Sequence, residues 1–130
     1  MPRERKYTYI DLFAGTSALS EGFLRCGFMP VAHVEMNPEA CLTIKTRQAY
    51  HYLKDNHEED IYRQYLKGEI KRDELYSHIP EALLSSVINS EISDDSIESI
   101  FGIIDSILKK QRRKRVDFIV GGPPCQAFSM

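Results

Sequence analysis

One cysteine stands in a context suited to nucleophilic chemistry. Cys125 follows two glycines and two prolines, at 121–124, directly after a short apolar segment that predicts a buried strand. The prolines stiffen the loop, and the glycines allow a ligand to approach the backbone closely. A thiol presented in this way can attack a planar substrate once local donors or charge favour its thiolate. Cys26 and Cys41 fall on predicted helices, and we interpret both as packing residues.

A second group of residues is typical of a nucleoside-binding site. Gly15 lies in a small-residue turn after the first predicted strand, and Glu35 ends the second predicted strand 20 residues later. Such a turn lets a ligand approach the backbone and the helix N-terminus, and one carboxylate can accept hydrogen bonds from both ribose hydroxyls. The pattern alone does not distinguish NAD from S-adenosylmethionine. A tight turn beside a surface glutamate is the structural alternative.

The elements that must position these residues alternate between strand and helix. Apolar and β-branched runs predict strands at 7–13, 31–36 and 116–120, and periodicity and capping residues predict helices at 18–26, from 37 to about 52, and at 93–110. This order predicts an α/β fold with a mostly parallel, Rossmann-like sheet in a single domain of 130 residues. Ligands of such sheets bind beyond the carboxyl ends of the strands, where the turn, Glu35 and the cysteine loop would meet.

Residues from about 53 to 92 differ from the rest of the chain and predict a helical insertion. The stretch from 51 to 99 carries 12 acidic residues and five lysines or arginines, and its helical patterns break at Gly68 and Pro80. We therefore expect two or three short helices between the core elements.

Charge and composition exclude several classes of protein. The chain has 42% hydrophobic and 28% charged residues, no apolar run long enough to span a membrane and no signal-peptide core, so we expect a cytoplasmic protein. Three widely spaced cysteines and four scattered histidines argue against a disulfide framework and a metal site. The basic run KKQRRKR at 109–115 could face phosphates, although a solvated helix end is the simpler interpretation.

Three segments of the chain together resemble DNA (cytosine-5) methyltransferases. In that family's order they are YIDLFAG at 9–15, VEMNP at 34–38 and GGPPCQAFS at 121–129. The Pro-Cys-Gln step is the most specific of these motifs. Related amino-methyltransferases have an aromatic residue after the two prolines, so a cysteine there implies carbon methylation through a covalent adduct.

The resemblance implies a role for each matching residue. Cys125 would add as a thiolate to C6 of a cytosine flipped out of the DNA, so that C5 can accept a methyl group from S-adenosylmethionine. Phe13 and Met36 would pack against the adenine, and Glu35 would hold the ribose. The other implied cofactor residues are Ala14, Gly15, Thr16, Ser17, Ala18, Leu19, Glu91, Ile92, Gly122 and Pro124, and the implied DNA contacts are Gln126 and Ser129.

The resemblance covers nearly the whole chain but only the N-terminal part of such a catalytic domain. The family usually has glycines where this chain has Ser17 and Ala18, and a side chain there would crowd the cofactor. The family's later motifs, including its DNA-recognition domain, have no counterpart here, so we expect a fragment that is inactive alone and that self-associates or needs a complementing C-terminal fragment. The alternatives are one subunit of a split enzyme, an enzyme for cytosine in RNA, or a non-catalytic binding remnant.

Overall fold

The chain folds around a four-stranded parallel sheet. The structure is a computed structural model that describes residues 6–15 and 18–122. The strands are β1 (Thr8–Leu12), β2 (Met29–Glu35), β3 (Val87–Asn89) and β4 (Phe118–Gly121), in the spatial order β3-β2-β1-β4. All three neighbouring pairs are parallel, which confirms the predicted α/β class. The helices are α1 (Ala18–Arg25), α2 (Pro38–Asp55), α3 (Glu59–Leu66), α4 (Arg72–Ser77), α5 (Glu81–Ser85) and α6 (Ile97–Lys110).

The first helix ends where its sequence predicts. Gly27 has a φ of +85°, and its N–H donates to the carbonyl of Leu24 at 3.0 Å. The next N–H, of Phe28, donates to the carbonyl of Phe23 at 3.0 Å, and the two rings pack with centroids 5.4 Å apart. These bonds and the accompanying apolar contact form a Schellman motif, in which glycine adopts the left-handed conformation without steric cost. The chain is thereby turned back into β2.

The second helix begins at a side-chain cap. Oδ1 of Asn37 accepts hydrogen bonds from the N–H groups of Glu39 at 2.9 Å and Ala40 at 3.2 Å, and Pro38 occupies the first helical position. Both features satisfy or remove donors that a helix N-terminus leaves unpaired, as the sequence predicts. The helix runs to Asp55, one turn beyond the predicted end near residue 52.

The main core lies between the sheet and α6. Ile100, Ile104 and Leu108 are buried against sheet residues that include Ile10 and Val34. This confirms most of the apolar stripe that the sequence predicts, although α6 begins at Ile97 rather than near residue 93. Phe101, which the predicted stripe includes, is 56% exposed, because it lies on the side of α6 that faces away from this core.

The predicted insertion contains three short helices, α3, α4 and α5, that share a separate core with α2. Its centre consists of Ala49 and Leu53 from α2 together with Leu75 and Ile79. The range of about 53–92 predicted for this insertion also contains a short strand near its C-terminal end, where β3 joins the sheet. Three residues are too few to show a strand periodicity, and only pairing with β2 makes this segment extended.

The last strand also differs slightly from its prediction. The predicted strand at 116–120 is observed as β4, from Phe118 to Gly121. Asp117, just before β4, accepts a hydrogen bond from the N–H of Thr8 at 2.9 Å and so fixes β4 beside β1. Within the described residues, no helix is long and apolar enough to cross a membrane.

Gly121 is required for β1 and β4 to end side by side. A Cβ at this position would overlap the carbonyl oxygen of Leu12, its partner in the strand register, and would lie 3.2 Å from the Leu12 Cβ. We expect Gly121→Ala to lower the free energy of unfolding by about 2 kcal/mol, because β4 must move away from β1. Urea denaturation measures the change.

Gly102→Ala provides the matched control for that substitution. Gly102 lies within α6, and a Cβ there would meet nothing within 4 Å. Alanine should therefore stabilise the protein by up to about 1 kcal/mol. Equal effects of the two substitutions would contradict the close approach of the strands.

Candidate functional site

A cavity of 370 Å³ opens at the carboxyl edge of the sheet. Four segments of the chain form it: the turn after β1, the end of β2, the stretch after β3 and the residue after β4. Its walls are formed by Phe13, Gly15, Val34, Glu35, Met36, Ser90, Glu91, Ile92 and Gly122. A ligand of this α/β fold is expected at this edge, beyond the ends of the parallel strands.

Most of the cofactor residues expected from the sequence meet in this cavity. Those that line it are Phe13, Gly15, Glu35, Met36, Glu91, Ile92 and Gly122. Glu91 and Ile92 reach the wall because β3 pairs with β2 and ends beside Glu35. Sequence reasoning did not include Val34 and Ser90. Val34 immediately precedes Glu35, whereas Ser90 follows the strand that the sequence did not reveal.

Two further expected cofactor residues, Ala14 and Leu19, are described by the structure but do not line the cavity. Ala14 is buried against Cys41, Ile44 and Val87 beneath the turn, so it supports the cavity without forming its wall. Leu19 lies in α1 and is half exposed, outside the residues that line the cavity. Ala18 starts α1, but the structure does not describe its side chain. The other residues expected at the site lie outside the described residues: Thr16, Ser17, Pro124, Cys125, Gln126 and Ser129.

The Glu35 carboxylate joins two elements at the cavity. Its Oε2 accepts a hydrogen bond from the N–H of Gly15 at 2.6 Å, and its Oε1 accepts one from the N–H of Asn37 at 3.1 Å. The side chain therefore holds the turn after β1 next to the start of α2. A carboxylate has about four acceptor positions, so each oxygen can accept one further hydrogen bond from a ligand.

The backbone of the turn after β1 is unusual. Phe13 has a φ of +54° and Gly15 a φ of +56°. A positive φ costs a non-glycine residue about 1–3 kcal/mol, and such residues cluster at functional sites. The N–H of Ala14 donates to the carbonyl of Val34 at 3.1 Å, which ties this turn to β2. The Phe13 ring is 41% exposed and forms an apolar wall of the cavity.

The end of β2 is held from the opposite side by β3 and α2. The carbonyl of Glu35 accepts hydrogen bonds from the N–H of Ser90 at 3.0 Å and from the thiol of Cys41 at 3.4 Å. Burial, and secondarily the Glu35 carboxylate, raise the pKa of the Cys41 thiol. Cys41 therefore stays protonated at neutral pH, in keeping with its interpretation as a packing residue.

The basic run at 109–115 lies at the opposite edge of the sheet from this cavity. It comprises the last residues of α6 and the loop before β4, so it approaches the sheet at the amino ends of the strands. The cavity lies at their carboxyl ends. Lys109 and Lys110 occupy the last turn of α6, where cations interact favourably with the helix dipole. This placement favours the solvated helix end over a phosphate contact near the cavity.

Three curated proteins are similar to this chain along almost its whole length, and all are named type II methyltransferases. M.Bpa9945I of Bacillus paralicheniformis is 36% identical over 138 residues, which cover 93% of this chain and 31% of that protein. M1.HphI of Haemophilus parahaemolyticus is 29% identical over 123 residues, which cover 95% of this chain and 22% of that protein. The putative enzyme M.MjaORF1200P of Methanocaldococcus jannaschii is 28% identical over 142 residues, or 93% and 36%.

This chain thus spans between about a fifth and about a third of the length of these curated relatives. No protein-family model matches it, and no solved structure matches it.

The two hydrogen bonds of Glu35 give a testable effect on stability. Glu35→Ala removes the acceptor of both the Gly15 and the Asn37 N–H groups. We expect the free energy of unfolding to fall by about 1–2 kcal/mol, measured by urea denaturation. Glu39→Ala is the control, because this exposed carboxylate lies in the first turn of α2, four residues after Glu35. A larger loss in the Glu39 variant would contradict the linking role of Glu35.

Proposed function

We propose that this chain supplies the cofactor-binding part and the catalytic cysteine of a DNA (cytosine-5) methyltransferase of a restriction-modification system. The observation that carries the proposal is the cavity, in which seven residues expected to hold S-adenosylmethionine come together. The similarity to three proteins named type II methyltransferases supports the same reaction class.

The chemistry of the cavity suits an adenosine-containing cofactor. Phe13 and Met36 present exposed apolar side chains, 41% and 62% accessible, between which a planar purine can be enclosed. Glu35 retains acceptor capacity for the two ribose hydroxyls. The volume of 370 Å³ falls within the range of about 300–1,000 Å³ that is usual for small-molecule sites.

Four residues of the cavity have distinct parts in this proposal. Glu35 binds the ribose and at the same time keeps the turn at Gly15 against it. Phe13 and Met36 orient the adenine and exclude water from it. A Cβ on Gly122 would meet no atom of the described residues within 4 Å, so this position allows a ligand to approach the backbone closely. S-adenosylmethionine, when bound, supplies an electrophilic methyl group.

Cys125 is the proposed nucleophile, and its position in the sequence keeps it close to the cavity. Gly122 lines the cavity, and Cys125 follows three residues later, so the two Cα atoms are at most about 11 Å apart. In the proposed reaction the Cys125 sulfur forms a bond to C6 of cytosine, which raises the electron density at C5. Once C5 carries the methyl group, loss of the C5 proton and cleavage of the sulfur–C6 bond release the thiolate.

Cofactor binding tests the first half of the proposal. Calorimetric titration should give micromolar binding of S-adenosylmethionine. Met36→Ala should weaken that binding about tenfold, because the exposed Met36 side chain contributes to the cavity wall and to no core cluster. Glu35→Gln should also weaken it, since its amide nitrogen cannot accept a hydrogen bond from ribose.

Leu66→Ala controls for the loss of an exposed aliphatic side chain, since Leu66 lies on α3 and is 66% exposed. It should bind the cofactor like the unaltered protein. Binding of NAD in place of S-adenosylmethionine, or equal affinities in all variants, would refute the assignment of the cavity.

Covalent capture tests the second half. The native protein containing this chain should form a denaturation-resistant adduct with duplex DNA in which 5-fluorocytosine replaces the target base, when S-adenosylmethionine is present. Fluorine replaces the proton that must leave C5, so the sulfur–C6 bond persists. Cys125→Ser should abolish the adduct, as judged by denaturing gel electrophoresis.

Cys26→Ser is the matched control for the capture, because Cys26 is an exposed free cysteine just after α1. Its adduct yield should equal that of the unaltered protein. An adduct that persists in Cys125→Ser would exclude Cys125 as the nucleophile.

A further inference from the structure

A second concave surface lies between α2 and the inserted helices. This groove, which we name the arginine groove, has a volume of 590 Å³ and is lined by residues that include Glu39, Thr46, Arg47, Tyr62, Tyr65 and Arg72. It shares no residue with the cavity at the sheet edge. Neither the motifs of the sequence nor the proposed methyl transfer assigns it a role.

The two arginines of the groove have no acidic partner among the described residues. Neither Arg47 nor Arg72 takes part in an ion pair or a side-chain hydrogen bond there, although the stretch from 51 to 99 is rich in carboxylates. Arg63 of α3, by contrast, pairs with Asp60 at 2.9 Å and lies near Glu59 at 3.7 Å. Arg72 also occupies the first turn of α4, where the helix dipole disfavours a cation. Helix stability therefore does not account for its presence.

Two tyrosines form part of the groove wall and are held in place by ring packing. The Tyr62 ring packs against Tyr50, with centroids 5.0 Å apart, and against Tyr65, at 6.0 Å. Burial is the main cause of a raised pKa for Tyr62, so its phenol remains a hydrogen-bond donor at neutral pH. Thr46 and Tyr76 share a hydrogen bond of 2.9 Å, so the Thr46 hydroxyl is already engaged within the protein.

These groups match a phosphate oxygen more closely than other ligands. Guanidinium groups offer planar, paired N–H donors that suit phosphate, and a phenol adds a further donor. Glu39 would repel an anion, and it lies eight residues before Arg47 on α2, about 12 Å away along the helix axis. The anion is thus expected at the Arg47–Arg72 end of the groove.

The groove starts at the same edge of the sheet as the cavity. Helix α2 begins directly after β2 at the carboxyl edge of the sheet. The groove follows the first half of this helix, from Glu39 to Arg47. The Arg47 end of the groove lies about 12 Å along the helix axis from Glu39, a length of three or four base steps of duplex DNA. A strand that holds its target base at this edge, where the proposed methyl donor occupies the cavity, could therefore place a phosphodiester several nucleotides away in the groove.

We propose that the arginine groove binds a backbone phosphodiester of the substrate DNA, several nucleotides from the target base, through Arg47 and Arg72. This inference rests on the proposed function, because it takes DNA as the substrate. The contact is independent of base sequence, and it positions the duplex relative to the cavity.

Salt-dependent DNA binding tests this contact. The native protein containing this chain is titrated into a fluorescein-labelled duplex of 24 base pairs at several salt concentrations, with fluorescence anisotropy as the readout. Arg47→Gln and Arg72→Gln should each weaken binding about tenfold. Each should also reduce the slope of log affinity against log salt by about 1, because one phosphate contact is lost. The losses should be equal on duplexes of unrelated sequence.

Two further variants separate a specific contact from a general loss of charge. Arg63→Gln removes a paired, exposed arginine outside the groove and should leave both affinity and salt slope unchanged. Glu39→Gln removes the repelling carboxylate and should strengthen binding. Thermal unfolding and titration with S-adenosylmethionine should show that the Arg47 and Arg72 variants retain the fold and the cofactor affinity of the unaltered protein.

The outcomes distinguish this inference from the proposed function. An unchanged salt slope in both Arg47→Gln and Arg72→Gln, or an equal loss of affinity in Arg63→Gln, would overturn the groove contact, while binding of S-adenosylmethionine would still support a methyltransferase. Failure to bind S-adenosylmethionine would instead count against the proposed function. The salt slope would still test whether the groove contacts a DNA phosphate. A third outcome would assign the groove to a free phosphate and overturn the proposal. In that case inorganic phosphate stabilises the protein more than chloride at equal ionic strength, and this stabilisation is lost in Arg47→Gln and Arg72→Gln, but neither substitution changes DNA binding.

Discussion

The arrangement of the candidate site depends on the Glu35 carboxylate. This side chain ends β2 and accepts hydrogen bonds from the turn after β1 and from the start of α2. The turn after β1, 20 residues earlier in the chain, is thereby held beside the end of β2 and the start of α2 at one cavity. A carboxylate serves this purpose because it has several acceptor positions and no donor, so it can bind two backbone N–H groups and still accept hydrogen bonds from a ligand. Structural and proposed ligand-binding roles are therefore combined in one residue.

The strands bring the other walls of the cavity to the same edge. Parallel pairing aligns the carboxyl ends of β1 to β4, and Gly121 permits β4 to end against Leu12 without steric overlap. The residue that follows, Gly122, consequently lines the same cavity as Gly15. Cys125 follows Gly122 by three residues in the sequence, so a nucleophile at this position and a cofactor in the cavity belong to one proposed reaction. The insertion adds a second surface beside α2 and leaves the sheet edge open.

Several features could be predicted from the sequence because they depend on neighbouring residues alone. The Asn37 cap, the glycine that ends α1 and the apolar face of α6 each rest on spacings of four residues or fewer, and the structure confirms all three. The same local signals placed Gly15 and Glu35 at the ends of their strands. The assignment of Cys125, by contrast, rests on the resemblance of its motif and stays a prediction.

Tertiary structure alone decided which of these residues meet. Strand β3 has only three residues and becomes extended by pairing with β2, more than 50 residues earlier in the chain. That pairing brings Ser90, Glu91 and Ile92 to the cavity, whereas Leu19 lies on α1 outside it. The exposure of Phe101, and the lack of an acidic partner for Arg47 and Arg72 among the described residues, likewise depend on which distant side chains pack nearby. Helix capping and apolar periodicity act within a few residues, so they can be predicted from the sequence. Strand pairing and burial depend on contacts between distant segments, which exist only in the folded chain.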